Sequence, residues 1–142
     1  MKIPTILGLL AIGMLAVGTI ALAGEMRIDS AGGSTAAYID DGGRVENASR
    51  TTIGYINSDG RVEDASRSTV GYVDSSGRVE DASRSTIGYI NSDGRVENAS
   101  RSTIGYIESG RIENASRSTI YTYSGLPNYR VLGAYLFFFG GF

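Results

Sequence analysis

Five tyrosines recur on one beat along this chain: Tyr38, Tyr55, Tyr72, Tyr89 and Tyr106. Rows of rings can stack on sugars, while tyrosine beside Ile and Val also builds strand cores with its hydroxyl at the edge. On the same beat an arginine precedes a glutamate by two residues: Arg44 and Glu46, Arg61 and Glu63, Arg78 and Glu80, Arg95 and Glu97, Arg111 and Glu113. Repeated carboxylates are one route to general acid–base work. An arginine two positions away on a strand shares the carboxylate's face and favours its ionised form. That suits a ladder of ion pairs better than a proton donor. Repetition argues the same way, because a catalytic centre is normally one asymmetric constellation. The turns Asp40-Asp41-Gly42, Asn57-Ser58-Asp59-Gly60 and Asn91-Ser92-Asp93-Gly94 offer oxygens in the style of calcium loops, but with only one or two carboxylates each. Asp or Asn shortly before Gly is ordinary turn chemistry. The hydroxyl pairs at Thr51-Thr52, Ser68-Thr69, Ser85-Thr86 and Ser102-Thr103 could order water, and are equally common at strand starts. Asn47, Asn98 and Asn114 sit in Asn-x-Ser sequons, which matter only on a glycosylating route.

The chain has neither histidine nor cysteine. That removes the commonest general base, the commonest nucleophile pairs, the usual transition-metal ligands and any disulfide. The net charge is −2 with the signs interspersed and no basic run, which excludes a nucleic-acid surface. No catalytic residue, cofactor or metal site is therefore expected.

What must position these residues is a repeat. Gly-Arg-Val-Glu-Asn-Ala-Ser-Arg begins at Gly43 and returns with small changes at Gly60, Gly77, Gly94 and Gly110, at spacings of 17 residues three times and then 16. One unit reads as a β-hairpin. Ser68–Val73 is rich in β-branched and aromatic residues, and Arg78–Asp81 is a shorter strand. Between them Asp74-Ser75-Ser76-Gly77 is a turn whose glycine suits positive φ, a role shared by Gly43, Gly60, Gly94 and Gly110. The residue missing from the fifth unit falls in this turn, where a deletion leaves strand faces intact. Closing the turn sets Val73 opposite Arg78, Tyr72 opposite Val79 and Gly71 opposite Glu80. Val70, Tyr72 and Val79 then face the core, with Arg78 and Glu80 on the other side.

Single hairpins cannot bury a face alone, so the units must pack on their neighbours. The expected fold is all-β, a run of hairpins about a pseudo-symmetry axis like a flower or small propeller, with a linear solenoid as the other arrangement. Five units and a partial sixth, begun at Ser118-Thr119-Ile120, occupy residues 34–124, after a linker at 24–33. Residues 125–142 hold all four phenylalanines and predict an apolar strand that caps the repeat core. At the other end, Ile3–Ala23 carries no charge after Lys2 and ends in Ala21-Leu22-Ala23, the form of a signal-peptide cleavage site. Residues 1–23 thus predict a signal helix, or an anchor if left uncut, which would be the sole membrane contact.

Tandem Asp-Gly-Arg-Val-Glu-Asn-Ala-Ser-Arg-Ser-Thr-Ile-Gly-Tyr-Ile units, followed by Ala134-Tyr135-Leu136-Phe137-Phe138-Phe139, resemble the four-fold β-flower family of bacterial proteins. The resemblance covers about residues 34–142 and implies hairpins set like petals about an axis. It implies no catalytic residue and no ligand, and the count of five Gly-Arg units departs from four-fold symmetry. Together these features predict a non-catalytic exported protein of the periplasm, cell envelope or surface. Its role would be structural, or interaction with an envelope protein or glycan, with oligomers allowed. The alternatives are a self-assembling, curli-like fibre subunit, or a glycan-binding module working through the repeated tyrosines.

Overall fold

A computed structural model of the protein describes residues 24–125 and 128–142; the signal segment expected at 1–23 lies outside them. The described residues form twelve strands. They are β1 (Met26–Ser30), β2 (Thr35–Ile39), β3 (Arg44–Asn47), β4 (Thr52–Ile56), β5 (Arg61–Asp64) and β6 (Thr69–Val73). There follow β7 (Arg78–Asp81), β8 (Thr86–Ile90), β9 (Arg95–Asn98), β10 (Thr103–Glu108), β11 (Arg111–Asn114) and β12 (Thr119–Ser124). Each strand pairs antiparallel with its sequence neighbours, and β12 pairs with β1 to close a barrel.

Five hairpins, from β2–β3 to β10–β11, run continuously along the chain, and a sixth two-stranded sector is assembled from β12 and β1. The expected linker at 24–33 is therefore incorrect, because Met26–Ser30 is a strand of the wall. Arg27-Ile28-Asp29 takes the place that Arg44-Val45-Glu46 takes in the first hairpin, pairing Arg27 with Tyr38 as Arg44 pairs with Tyr55. The partial sixth unit is completed from the opposite end of the chain.

The strand faces also differ from expectation. Val73 lies opposite Val79, Tyr72 opposite Glu80 and Gly71 opposite Asp81, one residue from the register predicted above. The cause is the turn. The Asp74 N–H donates to the Arg78 carbonyl (3.0 Å) and the Gly77 N–H to the Asp74 carbonyl (3.1 Å), with Gly77 at φ +90°. This is a three-residue loop whose positive-φ glycine forms a bulge. One absorbed residue moves every side chain to the opposite face. Val73 and Val79 consequently point inward, and Tyr72 points outward. Val70 is half-buried beside the register shift that follows each shorter strand. The fifth unit keeps the inward pair, Ile107 opposite Ile112, with a two-residue turn in which Ser109 (φ 51°) and Gly110 (φ 82°) are both left-handed.

The barrel interior holds a full ring of second-strand residues, Ile28, Val45, Val62, Val79, Val96 and Ile112, each 0% exposed. Inside it sits the C-terminal segment, which is helical and not the capping strand expected. Helix α1 (Tyr129–Tyr135) continues into a π-helical turn, Leu136–Gly140. The side chain of Asn128 caps its start by accepting the Arg130 and Val131 N–H groups (3.0 and 3.2 Å). Strand propensity loses here because every wall strand is already paired on both sides. A buried segment with no free edge must satisfy its backbone internally, which a helix does.

Glycines let the plug approach. A Cβ at Gly133 would collide with the Ile90 side chain, and the strand glycines meet one phenylalanine each: Gly54 with Phe139, Gly71 with Phe138, Gly88 with Phe137 and Gly105 with Phe142. An α-helix steps about 100° per residue, more than a sixth of a turn, and wider π winding shortens that step. Three successive phenylalanines can thus address three successive hairpins. Two sectors lack such a glycine. The first hairpin carries Ala37, and the sixth carries Tyr121, whose ring packs edge-on against Tyr135 at 6.2 Å. Burial pushes the Tyr135 phenol up to about 12. A methyl at Gly71 would strike both the Phe138 ring and the Glu80 carbonyl. Gly71→Ala should therefore lower the unfolding free energy in urea by about 1–3 kcal/mol, the usual range for overpacking. The loss should shrink, without vanishing, in a Phe138→Ala background.

Candidate functional site

Outward-facing residues of each hairpin meet in one recurring cluster. The bulged register sets tyrosine opposite glutamate in every unit: Tyr38 with Glu46, Tyr55 with Glu63, Tyr72 with Glu80, Tyr89 with Glu97 and Tyr106 with Glu113. The predicted partner arginines are in place, with Arg44–Glu46 at 3.5 Å, Arg61–Glu63 at 3.1 Å, Arg78–Glu80 at 3.2 Å, Arg95–Glu97 at 3.4 Å and Arg111–Glu113 at 3.2 Å.

A second arginine in each unit, not foreseen, completes the cluster. The turn after each short strand is built by an Asn or Asp whose side chain caps the loop; Asn47 Oδ1 accepts the Ser49 and Thr51 N–H groups (2.9 and 3.0 Å). That turn leaves Arg50, Arg67, Arg84, Arg101 and Arg117 left-handed, at φ between 66° and 72°. The conformation costs an L-residue about 1–2 kcal/mol. It carries each guanidinium over a tyrosine ring, 3.3–3.4 Å from the centroid. It also brings the same guanidinium to the free oxygen of the glutamate, at 2.9–3.1 Å. Stacking on a ring and a charge-assisted hydrogen bond together offset the backbone cost.

Each glutamate is thus a buried carboxylate with an arginine on either oxygen. Glu63 is 2% exposed, whereas its arginines are about half exposed. Hydrogen bonds from Asn57 and then Arg67 hold the Glu63 carboxyl below its ordinary value, and Arg101 does the same to Glu97. Asp64 and Asp74 are lowered by the hydroxyls of Ser66 and Ser76. Such groups stay ionised and carry no proton to donate. One face of each tyrosine ring is occupied by a guanidinium, so the row is built into the wall. The cluster is missing from the sixth sector, where Thr122, Asp29 and Gly33 replace tyrosine, glutamate and the left-handed arginine. At the first hairpin, Glu25 adds a second acid by pairing with both terminal nitrogens of Arg50 (2.8 and 2.9 Å).

The calcium-like turns serve as hydrogen-bonded caps. Asp40 Oδ1 accepts the Gly42 and Arg44 N–H groups (3.0 and 2.9 Å), Asp59 Oδ1 that of Arg61 (2.9 Å) and Asp93 Oδ1 that of Arg95 (3.0 Å). Among the described residues no three acidic side chains group in a way that could hold a metal ion. The hairpin tips ring one mouth of the barrel. There a cavity of about 800 Å³ opens between the tips of the first two hairpins and the start of α1. The recurrence of Arg50, Arg67, Arg84, Arg101 and Arg117 was visible in the sequence; what hid their role was the left-handed turn that folds them back.

Two outcomes test this cluster. Arg84→Ala and Arg84→Gly lose the same contacts, but glycine adopts φ +71° freely. Chemical denaturation should find the alanine variant less stable than the glycine variant by about 1 kcal/mol. The second outcome concerns pH. Folded-state values of Glu63 and Glu97 lie below the ordinary 4.5, so the folded protein binds fewer protons there than the unfolded chain. Their stabilisation is complete above that value and drains away as pH falls through the carboxylate range. With no histidine or cysteine to titrate, melting temperature should be flat from about pH 6 to 8 and fall steadily on acidification below about pH 5.

Among curated proteins and among solved structures, nothing matches this chain. A family model does, that of the 5-fold β-flower proteins, over residues 25–139. It corrects the four-fold family of the resemblance to a five-fold one, in line with the five Gly-Arg units, and its span takes in β1 and most of the plug. Five continuous hairpins about one axis accord with that description, and β12 with β1 fills the remaining sector. The chain belongs to the 5-fold β-flower family.

Proposed function

We propose that this is a non-catalytic exported module that displays a ring of loops to a partner in the cell envelope or at the cell surface. The observation that supports it most is closure. With β12 paired to β1, every described strand has a neighbour on both sides, and none of them offers an edge for another chain to extend. Loops are what the wall offers. Hairpin tips such as Ser75-Ser76 crown one mouth, and exposed Ala-Ser-Arg turns crown the other. The glutamates that might serve an enzyme each sit between two arginines, and Glu63 and Glu97 are held ionised there. The uncharged Ile3–Ala23 run with its small-residue site supports export.

The wall is also ill-suited to lipid. Its longest strands have six residues, against roughly 9–11 for a membrane-spanning strand, and its outer face carries half-exposed arginines. A fibre subunit is the second reading, favoured by the near-identity of the repeats. A glycan module working through the tyrosines is weakened by the guanidinium on each ring.

The test is size-exclusion chromatography with light scattering on the purified protein, followed by electron microscopy. One chain's mass, at most 15.0 kDa and independent of concentration, is expected, without filaments. Filaments that grow with concentration would replace the display module by the fibre. Fractionation of cells carrying a tagged copy should recover it outside the cytosol, and a wholly cytosolic protein would refute export.

A further inference from the structure

We propose that the cavity at the hairpin-tip mouth binds a small zwitterionic carboxylate of the amino-acid or short-peptide class. This deepens the reading above, naming a ligand class for a module read there as non-catalytic, and it rests on that reading. The site arises because the plug breaks the symmetry of the ring. As α1 enters, Tyr129 lies against the tip glycine Gly94 of the fourth hairpin, and among the described residues the mouth over the first two hairpins stays open. The resulting volume, about 800 Å³, falls within the range typical of small-molecule sites.

Its lining has three chemistries. Arg130 stands at the entry of α1, half-buried, and donates one hydrogen bond to the Val73 carbonyl. Every other arginine among the described residues has a carboxylate within 3.5 Å, and Arg130 has none. A guanidinium has five N–H donors in a planar fork that matches a carboxylate, and one donor is committed here. The lining also includes the exposed carboxylates of Asp41 and Asp59. Asp59 precedes Gly60, against which the Arg130 guanidinium is packed. Between the charged groups lie Met26, Ile56 and Val131, an apolar surface. A ligand that satisfies all three carries a carboxylate for Arg130, an ammonium for the aspartates and an apolar side chain. Free amino acids and the ends of short peptides share that chemistry.

Isothermal titration of the purified protein separates the two sources, with leucine, the tripeptide Ala-Ala-Leu, its C-terminal amide and its N-acetylated form as probes. Saturable heat is expected from leucine, from the free tripeptide, or from both, and the strongest binder identifies the source. Amidation should weaken tripeptide binding by about tenfold or more, the scale of one charge-assisted pair, and acetylation should weaken it less. Arg130→Gln keeps a donor for Val73 and should abolish the discrimination between free acid and amide. If that variant fails to fold, Asp59→Asn provides the same test at the other pole, since it should erase the penalty for acetylation. Absence of saturable binding by all four probes, equal binding of acid and amide, or unchanged discrimination in the folded variants would each overturn the proposal. A concentration-independent monomer that ignores every probe would sink this site alone and leave the display module standing.

Discussion

Pairing of β1 with β12, which joins the two ends of the described wall, is the constraint on which the rest of the structure depends. Ile28 opposite Tyr123 and Arg27 opposite Ser124 complete the hydrogen-bonded ring. A closed ring has no spare backbone groups, so whatever fills it must be self-sufficient. That requirement turns an aromatic segment with strand-like composition into a helix. The helix then fits only where the wall thins to glycine, at Gly54, Gly71, Gly88 and Gly105, and where its own Gly133 admits Ile90. Phe137, Phe138, Phe139 and Tyr135 occupy the space so created, while Phe142, against Gly105, remains exposed. Closure, helical plug and the glycine positions are therefore one solution to one packing problem, not three separate features.

The outer face meets a different demand. Strands of four to six residues give each hairpin few ladder bonds, and the interior contributes one aliphatic residue per strand at most levels. Each unit adds a side-chain clasp across its own two strands and the turn that follows. Glutamate opposite tyrosine joins the strands, and the left-handed arginine binds both to the turn. Individually such contacts are weak when exposed. Here the carboxylate is buried and both of its oxygens are taken, so losing one partner leaves an ill-solvated charge. The sixth sector, whose strands come from distant parts of the chain, lacks the clasp; there Arg27 pairs with Asp29 at 2.9 Å and Tyr121 reaches inward to Tyr135.

Much of this was legible in the sequence. The repeat length, the two-strand unit, the positive-φ glycines at Gly43, Gly60, Gly77, Gly94 and Gly110, and the Arg–Glu pairing on one face all follow from spacing and residue type. Register did not, because a four-residue turn can close symmetrically or absorb a bulge, and the sequence Asp-Ser-Ser-Gly permits both. The single residue of difference exchanged Tyr72 for Val73 as the inward side chain. Residues 26–30 read as linker because Asp29 and Gly33 depart from the repeat at the two positions that carry the clasp. The helix was hidden for a physical reason: local propensity in Tyr129–Phe142 favours a strand, and only the closed ring around it rules a strand out. Family symmetry was misjudged in the resemblance, although the five Gly-Arg units were countable in the sequence.

In a protein made of near-copies, asymmetry is where a specific ligand must be sought. Five identical clasps would present five equivalent surfaces, and equivalent surfaces cannot favour one small molecule in one orientation. The plug supplies the missing asymmetry. Among the described residues its entry over the fourth hairpin shields one side of the mouth and leaves the other open, and it brings Arg130, which has no counterpart in the repeats. Beneath that opening the first hairpin also departs from the others, with Ala37 at the glycine level and Glu25 added to its clasp. The regular wall therefore repeats one surface, while β1 and the plug, which are not repeated, supply its asymmetric features.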